Sequence, residues 1–203
     1  MVRGEDFGPV GEVRTGAAGA ATRDTGSAAG SCVVLIGPPG SGKTTVGRVL
    51  AATLGVELRD TDQAVEEQQG RSISDIFMDD GEPRFRELEA AEVAKSLACH
   101  VGVLSVGGGA VMDPASAAGL AGHLVVFLDV GIADAAKRVG FNSSRPLLVV
   151  NPRAQWTRMM DLRRPTYERL ATFTVLTAGR TPQEIAAEIV HLLESGQTGD
   201  RRE

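Results

Sequence analysis

Gly37-Pro38-Pro39-Gly40-Ser41-Gly42-Lys43-Thr44 is the stretch on which the reading of this sequence turns. It follows the apolar run Cys32–Ile36 and precedes a helical pattern over Thr44–Leu54, so it stands between a strand and a helix. A glycine, four residues and then Gly-Lys-Thr at such a junction is the phosphate-binding loop pattern. Gly40 and Gly42 let the backbone close on a polyphosphate, and the N–H groups of Ser41 through Thr45 can point inward with the dipole of the following helix behind them. Lys43 can reach the terminal phosphates, and the Thr44 hydroxyl can ligate Mg2+.

Outward from this loop the chain alternates. Runs at Val101–Val106, Leu124–Leu128 and Phe173–Leu176, with a weaker one at Val56–Leu58, join Cys32–Ile36 as strands. Helical patterns cover Ser72–Met78, Pro83–Ala98, Pro114–Ala121, Ile132–Val139, Arg153–Leu170 and Pro182–Leu193. Apolar strands separated by helices imply a parallel sheet covered on both faces, an α/β fold. Residues 1–31 hold the small, Gly-rich, aperiodic stretch Gly16–Gly30 and are expected to be a disordered extension. The folded domain is expected over 32–194, with a loose tail over 195–203.

The 203 residues carry 21 Lys+Arg against 26 Asp+Glu, a net charge of −5, which argues against nucleic acid and anionic membranes as partners. Anions must be met by a few placed basic residues. No apolar run approaches the ~18 residues of a membrane span, and no secretory signal is evident. Two cysteines are too few for a disulfide framework at this length. The expectation is a cytoplasmic protein, monomeric because nothing demands more.

The loop alone is shared by metabolite kinases, GTPase switches and motor-like ATPases. Only about 160 residues follow it, which favours the first, and no Asn-Lys-x-Asp segment reads guanine. Strand two ends in Asp60-Thr61-Asp62. At the carboxyl end of a parallel sheet one carboxylate could serve magnesium while the other takes a proton; a helix cap is the plain alternative. Then come Gly81-Glu82-Pro83-Arg84-Phe85-Arg86-Glu87-Leu88-Glu89, the triplet Gly107-Gly108-Gly109, the loop-like Arg145-Pro146-Leu147, and Arg163-Arg164-Pro165-Thr166-Tyr167.

Taken in this order, the six motifs closely resemble the shikimate kinases, over about Cys32 to Leu193, and look most like those of high-GC actinobacteria. The resemblance implies a three-layer α/β/α P-loop kinase with a five-stranded parallel sheet ordered 2-3-1-4-5. It implies a substrate-binding region over 61–90 and a lid over 140–152. The implied reaction moves the γ-phosphoryl of MgATP to the 3-hydroxyl of shikimate, with ATP and shikimate as partners and Mg2+ as cofactor.

By the same resemblance Lys43, Asp62 and Arg145 are catalytic, Asp62 as the base and Arg145 over the phosphates. Arg86 and Arg163 clamp the substrate carboxylate, and Glu89 supports Arg86. The main chain of Gly107, Gly108 and Gly109 positions the acceptor between walls from Phe77, Phe85, Pro146 and Leu147. Arg138, Arg180 and Pro182 frame the adenine, and Thr44 with Asp60 serves the metal. The family's fixed arginine lies two residues before the proline, which selects Arg163 and leaves Arg164 as an exposed neighbour. Asp129 ends a strand that matches the crude Walker B pattern, yet the family position is structural. The alternatives are a sugar-acid kinase such as gluconate kinase, which the paired arginines and glycine triplet disfavour, and a silent nucleotide-dependent module, which would have lost one of these residues.

Overall fold

The computed structural model describes residues 32–139 and 151–199. The expected N-terminal extension, the stretch with Arg145, Pro146 and Leu147, and residues 200–203 lie outside the described residues.

Five parallel strands form one sheet in the order β2-β3-β1-β4-β5: β1 Val33–Ile36, β2 Glu57–Asp60, β3 Gly102–Ser105, β4 Leu124–Asp129 and β5 Phe173–Leu176. The central strands alternate their side chains between two apolar layers, as a sheet buried on both faces requires. Val34, Ile36, Leu104, Val125 and Phe127 face α4 (Gly81–Cys99), α6 (Ile132–Val139) and α7 (Pro152–Leu170). Leu35, Val103, Val126, Leu128 and Val175 face α1 (Lys43–Leu54) and α8 (Pro182–Gly199). The expected three-layer fold and strand order are what the structure has.

The differences sit at the substrate end of the sheet. Strand β2 begins at Glu57 and runs on to Asp60, two residues past its apolar pattern, because it pairs with β3 through Asp60↔Ser105. A helix that periodicity did not reveal, α2 (Thr61–Gln69), starts there. Its sequence lacks an apolar stripe, and its signal is the cap: the Asp60 carboxylate accepts from the N–H groups of Asp62 and Gln63. Helix α3 (Ile73–Asp79) opens on a capping box of Ser72 and Asp75. Val65, Ile76 and Phe85 form a third, small core among α2, α3 and α4. At the other end α8 continues to Gly199, past residue 195 where a loose tail was expected.

A buried polar cluster fastens this substrate region to the sheet. Glu92 on α4 is 2% exposed. Its carboxylate accepts from Arg59 Nε of β2 at 2.9 Å and Ser96 Oγ at 2.7 Å, and from Gln68 of α2. Burial would push the Glu92 carboxyl up, but the hydrogen bonds from Ser96, Arg59 and Gln68 outweigh it and hold it below its ordinary value. Glu92→Ala leaves Arg59 without its main partner and should cost about 2–3 kcal/mol in urea unfolding, somewhat below the cost of breaking a fully buried pair. Replacing both residues by methionine should recover most of that loss. The lowered carboxyl makes this contribution present above the unfolded pKa and lost as pH falls through the folded one.

Candidate active site

The phosphate loop closes on itself. Gly40 and Gly42 have φ of 84° and 94°, and Ser41 N donates to Pro38 O at 3.2 Å. Lys43 Nζ folds back onto the loop, donating to Gly37 O at 2.9 Å and Pro38 O at 3.3 Å. Thr44 Oγ1 donates to Asp60 Oδ2 at 2.7 Å, so the helix that follows the loop meets the end of β2 through a hydroxyl and a carboxylate. That pair of hard oxygens fits Mg2+, which takes few protein ligands and fills its shell with phosphate and water.

Beside the loop opens a cleft of about 590 Å³ lined by Gly40, Gly42, Lys43, Thr44, Thr45, Arg138, Arg180 and Pro182. The residues expected to bind ATP, apart from Ser41 and Arg145, therefore line one cavity. Ser41 lies beneath it, fully buried, its hydroxyl without a hydrogen bond among the described residues. Arg138 Nη1 donates to Gly40 O and Ser41 O, both at 3.3 Å, and Nη2 to Thr177 O at 2.6 Å. Arg180 donates to Leu176 O and Glu184 O and pairs with Glu188. Both guanidinium groups engage protein acceptors through their terminal nitrogens, which leaves the planar faces for stacking.

Strand β3 delivers Gly107-Gly108-Gly109 into the space between the loop and the substrate region. A Cβ at Gly107 would lie 2.5 Å from Asp62 Oδ1 and 2.6 Å from Glu89 Oε1, so the missing side chain is what admits both carboxylates. Gly107 N donates to Thr61 Oγ1 at 3.0 Å, a buried bond that registers the Asp60–Asp62 segment on the triplet. Burial pushes Asp62 up to about 6; Asp60, Glu89 and Glu66 push the same way, and Lys43 opposes them.

Arg86 and Arg163 line a second pocket of about 350 Å³ with Glu82, Glu89, Gly109, Asp113 and Ser116. Arg86 Nη1 donates to Glu89 Oε2 at 2.7 Å, and Nη2 to Glu82 Oε1 at 3.0 Å. Burial opposes the charge on Arg86, but these bonds outweigh it and raise its pKa; burial raises that of Glu89. Arg163 Nη1 reaches from α7 to Gly108 O at 3.0 Å. Two arginines from distant parts of the chain thus face one pocket, as the motifs implied. Phe85 is buried in the small third core, 4.8 Å from Phe77 between ring centroids, so it carries Arg86 from below.

Arg164 is a correction. It is not a merely exposed neighbour: its guanidinium forms a two-pronged ion pair with Asp129, at 2.7 and 3.0 Å, and lies over the Phe127 ring. Asp129, the Walker B look-alike, is held in that pair and has a structural role. Three further residues went unread. Tyr167 OH donates to Gly108 O at 2.6 Å, Thr61 holds Gly107, and Trp156 Nε1 donates to Pro39 O at 3.1 Å. Tyr167 and Thr61 lay inside quoted motifs; Trp156, the single tryptophan, lay in none of them.

The family model for shikimate kinase matches residues 39–194. The shikimate kinase of Salinispora arenicola is 56% identical over 160 residues, covering 79% of this chain and 96% of that one. That of Streptomyces coelicolor is 49% identical over 162 residues, covering 80% and 95%. Among solved structures, the Acinetobacter baumannii shikimate kinase in complex with shikimate superposes with a TM-score of 0.78 at 33% identity, covering 82% of this chain and 94% of that one. The phosphate loop from Pro39 on, the glycine triplet and the two arginines lie inside the matched span, and the chain belongs to the shikimate kinase family.

Proposed function

We propose that this chain transfers the γ-phosphoryl of MgATP to the 3-hydroxyl of shikimate, giving shikimate 3-phosphate and ADP. The observation that carries this reading is Arg86 and Arg163 facing one pocket across the glycine triplet from Asp62. Two guanidinium forks at one end suit a carboxylate. A buried carboxylate at the other end suits a hydroxyl acceptor.

ATP occupies the larger cleft, with its phosphates on the loop amides and Lys43 and its base between Arg138, Arg180 and Pro182. Thr44 and Asp60 would hold Mg2+, which would neutralise phosphate charge. Asp62 accepts a hydrogen bond from the 3-hydroxyl and takes its proton as the oxygen attacks phosphorus. Lys43 stays with the phosphoryl oxygens as negative charge moves toward ADP. Arg145 and residues 140–150 of the expected 140–152 lid lie outside the described residues, and the resemblance alone supports their roles, while Asn151 caps and Pro152 opens α7. Such transfer needs little covalent help, so positioning and charge supply most of the rate.

The free thiols Cys32 and Cys99 suit a reducing compartment, and we place the reaction in the cytoplasm. Among the described residues no helix is long and apolar enough to cross a membrane. We take the monomer as the working unit, since both pockets are built within one chain.

The direct test is ADP release with shikimate, gluconate or no acceptor; only shikimate should support it, and equal rates with gluconate would refute the assignment. Lys43→Ala should lower kcat more than tenfold, about 1.4 kcal/mol of barrier or more. Arg163→Lys keeps the charge but loses the fork and should weaken shikimate binding by about 1.5–3 kcal/mol, read by titration. Arg164→Ala should weaken it less while lowering thermal stability, because its partner is Asp129.

The pH dependence follows from Asp62. As the base it must be ionised, so kcat/KM for shikimate at saturating MgATP should rise through about pH 6 and level off above it. Its folded pKa lies above the ordinary 3.8, so the native state keeps the proton longer than the unfolded chain. Stability should therefore fall as pH rises from about 4 to about 6. Asp62→Asn should abolish turnover yet melt higher at pH 7.5, by roughly 2 kcal/mol once partial exposure is discounted. A variant less stable than the parent at that pH would contradict the assignment.

A further inference from the structure

We propose that Trp156 is a positioning residue that fastens the substrate-gripping helix α7 to the phosphate loop, so that nucleotide on the loop improves the grip of Arg163 on the acceptor. This rests on the reading that Arg163 holds the substrate carboxylate.

Three contacts close a ring. The first is the Trp156 indole, 5% exposed, whose N–H donates to Pro39 O at 3.1 Å. Pro39 lies within the loop, and its ring fixes φ, which removes one of the backbone freedoms by which its carbonyl could move apart from the loop. The second is α7 itself, an unbroken helix from Pro152 to Leu170 that includes Pro165. About two and three turns on from Trp156 it places Arg163 Nη1 and Tyr167 OH on the same acceptor, Gly108 O, at 3.0 and 2.6 Å. The third is the loop against the triplet: a Cβ at Gly108 would lie 3.1 Å from Gly37 O and 3.3 Å from Pro39 Cδ.

The loop therefore touches the helix near its N-terminus through Trp156, and touches it again through Gly108. Trp156, Met160 and Tyr167 are buried in one apolar layer with Phe127, which makes the helix side of the ring stiff. A nucleotide that orders the loop fixes Pro39 O, and with it the rotation and slide of α7 that aim Arg163. An indole held only for its apolar bulk would not need its N–H on this carbonyl.

The test measures shikimate affinity by titration with and without saturating MgADP. For the parent protein we expect nucleotide to tighten binding about fivefold or more, within the usual range of coupling between sites. Trp156→Phe keeps a buried ring and removes the N–H. It should bring that ratio within about twofold of unity while affinity without nucleotide changes little. Replacing the indole by its benzothiophene isostere removes the same N–H at constant shape and should act alike, even if Trp156→Phe folds poorly. Met160→Leu, beside it in the same layer, should lower the melting temperature and keep the ratio.

A parent ratio of unity, an unchanged ratio in both N–H-deleted proteins, or an equal collapse in Met160→Leu each overturns the proposal. If the parent binds shikimate and Arg163→Lys weakens it, such a result leaves the carboxylate reading standing. If shikimate does not bind at all, both fall.

Discussion

The constraint on which the site depends is the absence of side chains at Gly107, Gly108 and Gly109. Four neighbours occupy the space that Cβ atoms would need: the Asp62 and Glu89 carboxylates at the first, the Gly37 carbonyl at the second, and the Arg86 guanidinium at the third. These neighbours arrive from α2, α4 and the phosphate loop, while Arg163 and Tyr167 come in from α7 to the Gly108 carbonyl. A side chain at Gly107 would have to displace two carboxylates from a packed interior, where overpacking costs typically 1–3 kcal/mol. The triplet is thus the place where the phosphate loop, Asp62 and the two arginines are brought into one frame.

Electrostatics explains why an acidic chain can serve two anionic ligands. The cations are concentrated along the carboxyl ends of the strands, and each is placed by protein acceptors. Lys43 rests on Gly37 O and Pro38 O, Arg86 on Glu82 and Glu89, and Arg163 on Gly108 O. This preorientation lowers the entropy lost when a carboxylate or phosphate arrives. Asp62 bears the opposing cost. Burial with Asp60, Glu66 and Glu89 nearby raises it to about 6, a strain on the ionised form that Lys43 partly relieves. A base so placed is destabilising near neutral pH and useful there for the same reason.

Most of the fold was legible because its strands are apolar enough to demand two covering layers, and because the phosphate loop announces its own strand and helix. What periodicity missed was α2, whose nine residues carry no apolar stripe and are set by the Asp60 cap. Within the site, the ordered motifs located Lys43, Asp62, Arg86 and Arg163, each of which lines or borders the cleft. Trp156 could not be read, since a contact 117 residues away in sequence leaves no local signature. The motifs named residues that line or border the two pockets; the contacts that hold those residues in place depend on tertiary packing.

Arg163 and Arg164 show how the helix itself divides such roles. Consecutive helical residues point about 100° apart, so two adjacent arginines cannot face the same pocket. One is directed to Gly108 and the substrate pocket, the other to the end of β4, where Asp129 takes it in two hydrogen bonds. Asp129 follows Phe127 and Leu128, so the anchor lies on the rigid sheet. The ion pair there ties one side of α7 to the sheet. The aspartate that looks like a metal ligand in the sequence is instead the sheet's partner for Arg164.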